Sequence, residues 1–141
     1  MASVHFFNQD ISFKLPKSRS TKNWINEVIH LEKKQPGHLN YIFCSDERLL
    51  EINQKYLNHE TFTDIITFDN SEEEGVIEGD IFISIERVKE NALTLQTDFM
   101  EEVHRVIIHG ILHLAGHTDK SKEEKAIMRK KEDAYLSLRN T

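Results

Sequence analysis

Two histidines one helical turn apart are the residues of this chain best suited to do chemistry. His109 and His113 lie in the segment HGILHLAGHTD, residues 109–119. At 3.6 residues per turn, their imidazoles would lie about 40° apart on one face of a helix and could reach the same ion. Two imidazoles and a third donor can hold a divalent metal ion and leave a coordination position open for water. The segment therefore indicates a hydrolytic metal site.

The third ligand depends on Gly116, three positions after His113. A glycine there favours a left-handed turn that ends the helix. After such a turn the chain can double back and present Asp119 to the same ion, at the ligand spacing of the metzincin peptidases. The alternative is His117, which a continued helix would bring towards the same face. Because the glycine argues against continuation, we expect His109, His113 and Asp119 to be the metal ligands.

A peptidase is not indicated, because one residue type is missing. Metallopeptidases with the sequence His-Glu-x-x-His carry their general base directly after the first histidine. This chain has Gly110 at that position. We expect the glycine to allow close packing of the helix instead.

Length and composition indicate one domain, residues 1–141, with a net charge of -6. The longest nearly apolar run, residues 106–116, is too short to span a bilayer. No secretory signal is visible at the N-terminus, and Cys44 stands alone in a strand-like run, as a buried thiol would. We therefore expect a cytoplasmic protein with no membrane contact.

Hydrophobic periodicity and turn residues predict the elements that position this segment. The first two strand-like runs are separated by Asn8-Gln9-Asp10 and predict a hairpin. Because strands and helices mix without regular alternation, we expect an α+β fold. It would have one mixed sheet of about four or five strands covered by helices, with the metal site on a helix followed by a glycine turn. The predicted strands are 4–7, 11–15, 38–44, 64–68 and 80–85, and the predicted helices are 20–34, 46–56, 86–96, 100–115 and 121–138.

Three blocks of the sequence resemble the YbeY family of bacterial endoribonucleases. HGILHLAG at 109–116 is similar to the family signature. INQKY at 52–56 followed by TDIITF at 63–68 resembles its Asn-x-x-Tyr and Thr-Asp-Val-Leu-Ser-Phe block, and GDIFIS at 79–84 resembles its Gly-Asp-Ile strand. The three blocks lie between residues 52 and 116, a stretch of about half the chain, and occur in the family's order.

The resemblance implies a metal-dependent hydrolase that cleaves single-stranded RNA during rRNA maturation, at the 3' end of the small-subunit 16S rRNA, and that acts in ribosome quality control. It implies one divalent metal ion per chain, zinc being the first expectation, with single-stranded RNA, rRNA and ribosomal particles as partners. The alternative is a ribosome-assembly binding factor that keeps a structural metal and has little nuclease activity.

The chain departs from the family at two positions. Asp119 stands where the family usually has a histidine, so the resemblance implies two histidines and an aspartate, a set that also suits iron(II) or manganese. Leu57 stands where the family commonly has an arginine, and Arg105 is a candidate replacement. No catalytic acid or base is identified; His117 and Glu102 are the nearest candidates for proton transfer. Phe62 and Phe68 are candidates for stacking on RNA bases.

Overall fold

The fold is built from four strands and five helices, described for residues 3–139 in a computed structural model. The predicted domain, 1–141, extends two residues beyond this range at each end. In chain order the elements are β1 (Ser3–Asn8), α1 (Ser18–Leu31), β2 (Gln35–Cys44), α2 (Asp46–Leu57), β3 (Ile65–Asp69), β4 (Val76–Ser84), α3 (Ile85–Leu95), α4 (Phe99–Leu114) and α5 (Lys122–Ser137).

The four strands form one mixed sheet in the order β1-β2-β4-β3. β1 and β2 are parallel, as are β2 and β4, whereas β3 and β4 are antiparallel. Parallel neighbours need a crossover connection, and α1 and α2 lie in the two connections that lead to and from β2. The predicted α+β class with one mixed sheet is confirmed, and Cys44 is buried as expected.

The predicted hairpin of strands 4–7 and 11–15 is wrong. β1 pairs in parallel with β2, so that Val4 lies opposite Leu39, and residues 11–15 are not a strand. This segment still contributes to the core, since Phe13 packs edge-on against Phe43 with 4.9 Å between the ring centroids. The alternation of apolar residues in this segment therefore indicated burial, although the segment pairs with no strand.

α4 is the helix that joins the core to the predicted metal segment. It begins after Asp98, whose side chain accepts a hydrogen bond from the backbone N–H of Glu101. Gly110 lies against the sheet, where an added Cβ would be 3.1 Å from Cδ1 of Ile81 and 3.2 Å from Cδ1 of Ile65. The expectation that this glycine permits close packing is therefore confirmed. Within residues 3–139, no helix is both long enough and apolar enough to cross a membrane.

Candidate metal centre

The candidate metal centre lies where α4 ends in a tight glycine turn. Gly116 has φ of 104°, in the left-handed region that favours glycine. Its N–H donates to the carbonyl of His113 (3.0 Å), and the N–H of His117 donates to the carbonyl of Leu112 (3.0 Å). These two bonds form a Schellman motif, which satisfies the last carbonyls of the helix and reverses the chain. The helix-ending turn predicted from Gly116 is therefore present.

This turn brings Asp119 back to the two histidines. Asp119 Oδ2 lies 3.4 Å from His109 Nε2, and Asp119 Oδ1 lies 3.6 Å from His113 Nε2. One donor atom from each of the three residues lies within 4.8 Å of the others. Two ligand atoms bound to one tetrahedral zinc ion, each about 2.1 Å from it, would be about 3.4 Å apart. The donor set and its spacing therefore suit a divalent ion such as zinc.

The three side chains are held by the protein yet open to solvent. His109, His113 and Asp119 are 20%, 31% and 36% exposed, respectively. The rings of His109 and His113 are 4.7 Å apart at an angle of 67°. A metal ion at this point could keep a position free for water or substrate, as catalytic sites require.

His109 is oriented by a carboxylate from the following helix. Its Nδ1 lies 2.6 Å from Oε2 of the buried Glu132 on α5. Because an ionised carboxylate can only accept, Nδ1 carries a hydrogen, which leaves Nε2, the nitrogen that faces Asp119, as the atom that can bind a metal ion. The second oxygen of Glu132 accepts from Arg105 at 3.0 Å. A carboxylate that fixes the tautomer of a metal-binding histidine is a common companion of metal sites.

The two histidines differ in basicity. Burial lowers the pKa of His109, but its hydrogen bond to Glu132 and the negative charges of Glu132, Asp119 and Asp64 outweigh burial and hold that pKa above the ordinary value. Burial and the neighbouring His109 lower the pKa of His113. Proton loss from His109 would therefore accompany metal binding, since imidazole binds metals in its neutral form.

His117, the alternative third ligand, faces a different group. Its Nε2 lies 2.6 Å from Oε1 of Glu32, at the end of α1. The other oxygen of Glu32 accepts from Lys131 Nζ (3.1 Å) and from the hydroxyl of Tyr135. Glu32, whose side chain is 7% exposed, thus ties the turn after α4 to α5, and the His117 nitrogen in this contact is engaged away from the His109–His113 pair.

The contacts of Glu32 predict that the stability of the fold falls when this carboxylate is protonated. Burial raises the pKa of Glu32, but hydrogen bonds from Tyr135, His117 and Lys131 outweigh burial and hold it below its ordinary value of 4.5. Such a carboxylate stabilises the fold above its unfolded pKa, and the contribution is lost as the pH falls through the folded pKa. We expect Glu32→Gln to lower the free energy of unfolding near pH 7 by about 1–3 kcal/mol.

The difference in the free energy of unfolding between wild type and Glu32→Gln should narrow as the pH falls below 4.5. In that range the wild type loses the negative charge at position 32, which the glutamine never has. Urea unfolding at stepwise lower pH measures it. A difference that stays constant over this range would contradict the assignment of Glu32 as the titrating group.

Other residues singled out in the sequence have different surroundings. Arg105 pairs with Glu132 and with Asp133 (2.6 Å) and is only 12% exposed, so its charge is already engaged. Glu102 is buried, and burial raises its pKa. Leu57 borders a cleft that also reaches His113.

The two aromatic candidates for stacking also differ. Phe62 is 51% exposed, with the Arg87 guanidinium 5.1 Å from its ring centroid. Phe68 packs edge-on against Tyr56 and Phe82 beside the smaller core cluster. Of the two, Phe62 has the ring surface available for stacking.

Sequence reasoning missed Glu132 and Glu32. Both are acidic residues that fall on the buried side of a helix: Glu132 follows the buried Met128 by one turn, and Glu32 follows the buried Val28 by one turn. A carboxylate on an apolar stripe is costly unless it is paired, and that signal was available in the sequence.

Comparisons with known proteins agree over nearly the whole chain. Residues 5–140 match the family model described as Endoribonuclease YbeY. A Cytophaga hutchinsonii protein named Endoribonuclease YbeY is 52% identical over 137 residues, which are 97% of this chain and 96% of the relative. One from Flavobacterium psychrophilum with the same name is 52% identical over 94% of each chain. A Thermotoga maritima protein solved in solution has a TM-score of 0.63 and 29% identity, covering 96% of this chain and 87% of its own.

Proposed function

The chain belongs to the YbeY family of endoribonucleases, and from that premise we propose that it is a single-strand-specific metallo-endoribonuclease of rRNA maturation. RNA cleavage follows from the family, because the relatives carry the name endoribonuclease. The observation that carries the metal dependence is the convergence of two imidazoles and a carboxylate at the end of α4.

We propose His109, His113 and Asp119 as the ligands of one divalent metal ion, with zinc as the first expectation. Imidazole nitrogen and carboxylate oxygen are both ordinary zinc ligands. Because one donor is a carboxylate, iron(II) and manganese are the competing ions. The arrangement supports this assignment, since Nε2 of His109 and Nε2 of His113 both face Asp119.

The protein residues divide the work of such a site between them. Glu132 keeps a hydrogen of His109 on Nδ1, so that Nε2 is available as the ligand atom for the metal ion. The turn at Gly116 holds the Asp119 carboxylate beside both imidazoles. When bound, a divalent ion supplies Lewis acidity for a phosphoryl oxygen or for water. The open side of the three ligands leaves room for a phosphodiester to approach.

The cellular process and the RNA substrate are inferred from membership of the family. We propose that residues 1–141 act as one domain in the cytoplasm, on rRNA and ribosomal particles, with roles in maturation of the 16S 3' end and in quality control. Single-stranded RNA is the expected substrate, as the family resemblance implies, because its unpaired bases and backbone are open to contact by protein side chains.

Metal analysis and RNA cleavage on the same samples test the proposal. Wild type should contain stoichiometric metal and cleave a labelled single-stranded RNA faster than its duplex. Asp119→Ala should lose both properties while keeping its circular dichroism spectrum. Asp119→His, which restores the imidazole usual in the family, should retain metal and is the matched control.

Each alternative has its own outcome. Stoichiometric metal in the wild type without cleavage would favour an assembly factor with a structural metal. If His117→Ala loses the metal and Asp119→Ala retains it, the third ligand is His117 and not Asp119. The proposed metal site would be contradicted if the wild type holds no metal after purification free of chelators and incubation with zinc, iron(II) or manganese.

A further inference from the structure

Two clefts border the histidine pair, and they differ in charge. The first, about 280 Å³, reaches His109 and is called here the acidic cleft. Four carboxyl groups and two guanidiniums line it; because Glu132 and Arg105 pair with each other, three carboxyl groups remain against the guanidinium of Arg129. The four carboxyl groups belong to Asp64, Glu102, Asp119 and Glu132.

The second cleft, about 290 Å³, reaches His113 and is called here the threonine cleft. Its described lining contains no carboxylate, lysine or arginine. Its polar groups are neutral hydrogen-bonding side chains and two imidazoles, those of His59 and His113. The neutral groups belong to Asn53, Thr61, Thr63 and Thr67.

This difference in charge decides where a polyanion can lie. A phosphodiester brought against several carboxylates is repelled, and the repulsion grows as water leaves the contact. Hydroxyl, amide and imidazole N–H groups instead donate to phosphate oxygens and to the sugar 2'-OH. We propose, on the basis of the proposed function, that single-stranded RNA occupies the threonine cleft and that His59 is the residue that holds its backbone there.

The loop that carries His59 is fixed by hydrogen bonds. The side-chain amide of the buried Asn53 donates to the carbonyl of Thr61 at 2.8 Å. The backbone N–H of His59 donates to the carbonyl of Asn53 at 3.1 Å. Asn58 between them has φ of 57°, which turns the chain at the end of α2. The loop is therefore held against α2, with His59 on the wall of the cleft.

His59 has the chemistry that this wall requires. It is exposed, and in the described part of the chain it and His113 are the side chains lining the threonine cleft that can carry a positive charge. An imidazole donates a hydrogen bond to a phosphate in both its neutral and its charged form. With His113 proposed as a metal ligand, His59 remains as the positioning residue for the RNA strand.

Binding by the metal-free protein separates this proposal from catalysis. The probe is a fluorescent, uncleavable 2'-O-methyl RNA oligonucleotide, and its affinity is measured by anisotropy as salt is raised. His59→Ala should weaken binding about tenfold, the effect of one hydrogen bond to a charged group. His59→Arg should bind more tightly than wild type and lose affinity more steeply with salt. His30→Ala, an exposed histidine on α1, is the matched control and should bind as wild type does.

Arg129 distinguishes the two clefts, because it lines only the acidic one. Arg129→Ala should leave the affinity unchanged if the strand lies in the threonine cleft. Weaker binding of Arg129→Ala, together with unchanged binding of His59→Ala, would overturn the proposal. If the metal-loaded wild type cleaves RNA while His59→Ala and His59→Arg match it in affinity and KM, only this inference fails. A wild type that neither binds nor cleaves RNA removes the proposed function as well.

Discussion

Glu132→Ala is expected to weaken metal binding about tenfold to a hundredfold and to lower the free energy of unfolding by about 3–5 kcal/mol. The two effects have one origin. The carboxylate is nearly fully buried and accepts from Nδ1 of His109 and from Nη1 of Arg105. Its removal frees the imidazole to change tautomer or rotate, and it leaves Arg105 in a buried position without its closest buried partner.

Competition with a chromogenic chelator measures the metal affinity, and urea unfolding of the metal-free protein measures the stability. Glu132→Gln keeps the shape and a carbonyl oxygen that can still accept from Nδ1, so its metal affinity should lie between those of wild type and Glu132→Ala. Asp133→Ala is the matched control: it removes the exposed partner of Arg105 and leaves Glu132 in place. Wild-type metal affinity in a folded Glu132→Ala protein would show that His109 needs no such support.

Gly110→Glu is expected to unfold the protein, although it completes the His-Glu-x-x-His sequence of the metallopeptidases. The first added atom would already lie 3.1 Å from Cδ1 of Ile81 and 3.2 Å from Cδ1 of Ile65. The rest of the side chain would place an unpaired carboxylate between α4 and the sheet. A buried unpaired charge costs about 3–5 kcal/mol, which is a large part of the 5–15 kcal/mol that stabilises a typical domain.

A graded series tests this explanation by thermal unfolding. Gly110→Ala should cost about 0–2 kcal/mol, because overpacking of about 1–3 kcal/mol is offset by about 1 kcal/mol of helix propensity. Gly75→Ala is the control for backbone strain alone, because its φ is +85° and an added Cβ would meet nothing within 4 Å; we expect a cost of about 1–2 kcal/mol. A Gly110→Glu protein that melts with the wild type would disprove the close contact between α4 and the sheet.

The parts of the site that the sequence predicted are local in the chain. The spacing of His109 and His113 and the glycine three residues later depend only on helix geometry and on the conformations open to glycine. For the same reason the return of Asp119 towards the histidines could be expected before any tertiary contact was known. Its role as a ligand remains a prediction that metal analysis must decide.

The parts that the sequence did not predict are contacts between distant elements. Glu132 reaches His109 across the packing of α5 on α4, and helical periodicity does not say which helix a given face will meet. The false hairpin has the same cause. Residues 11–15 have the alternation of a strand, but β1 already lies beside β2, and the segment covers the core instead.

The order of synthesis adds a consequence to the contact between α5 and α4. A chain leaves the ribosome from its N-terminal side, so residues 109–119 emerge before the helix that carries Glu132. Until α5 docks, Nδ1 of His109 lacks its carboxylate acceptor, and either nitrogen of the ring can carry the hydrogen. The nascent protein therefore has its three candidate ligands before it has the means to orient one of them, and docking of α5 is the folding step that completes the centre.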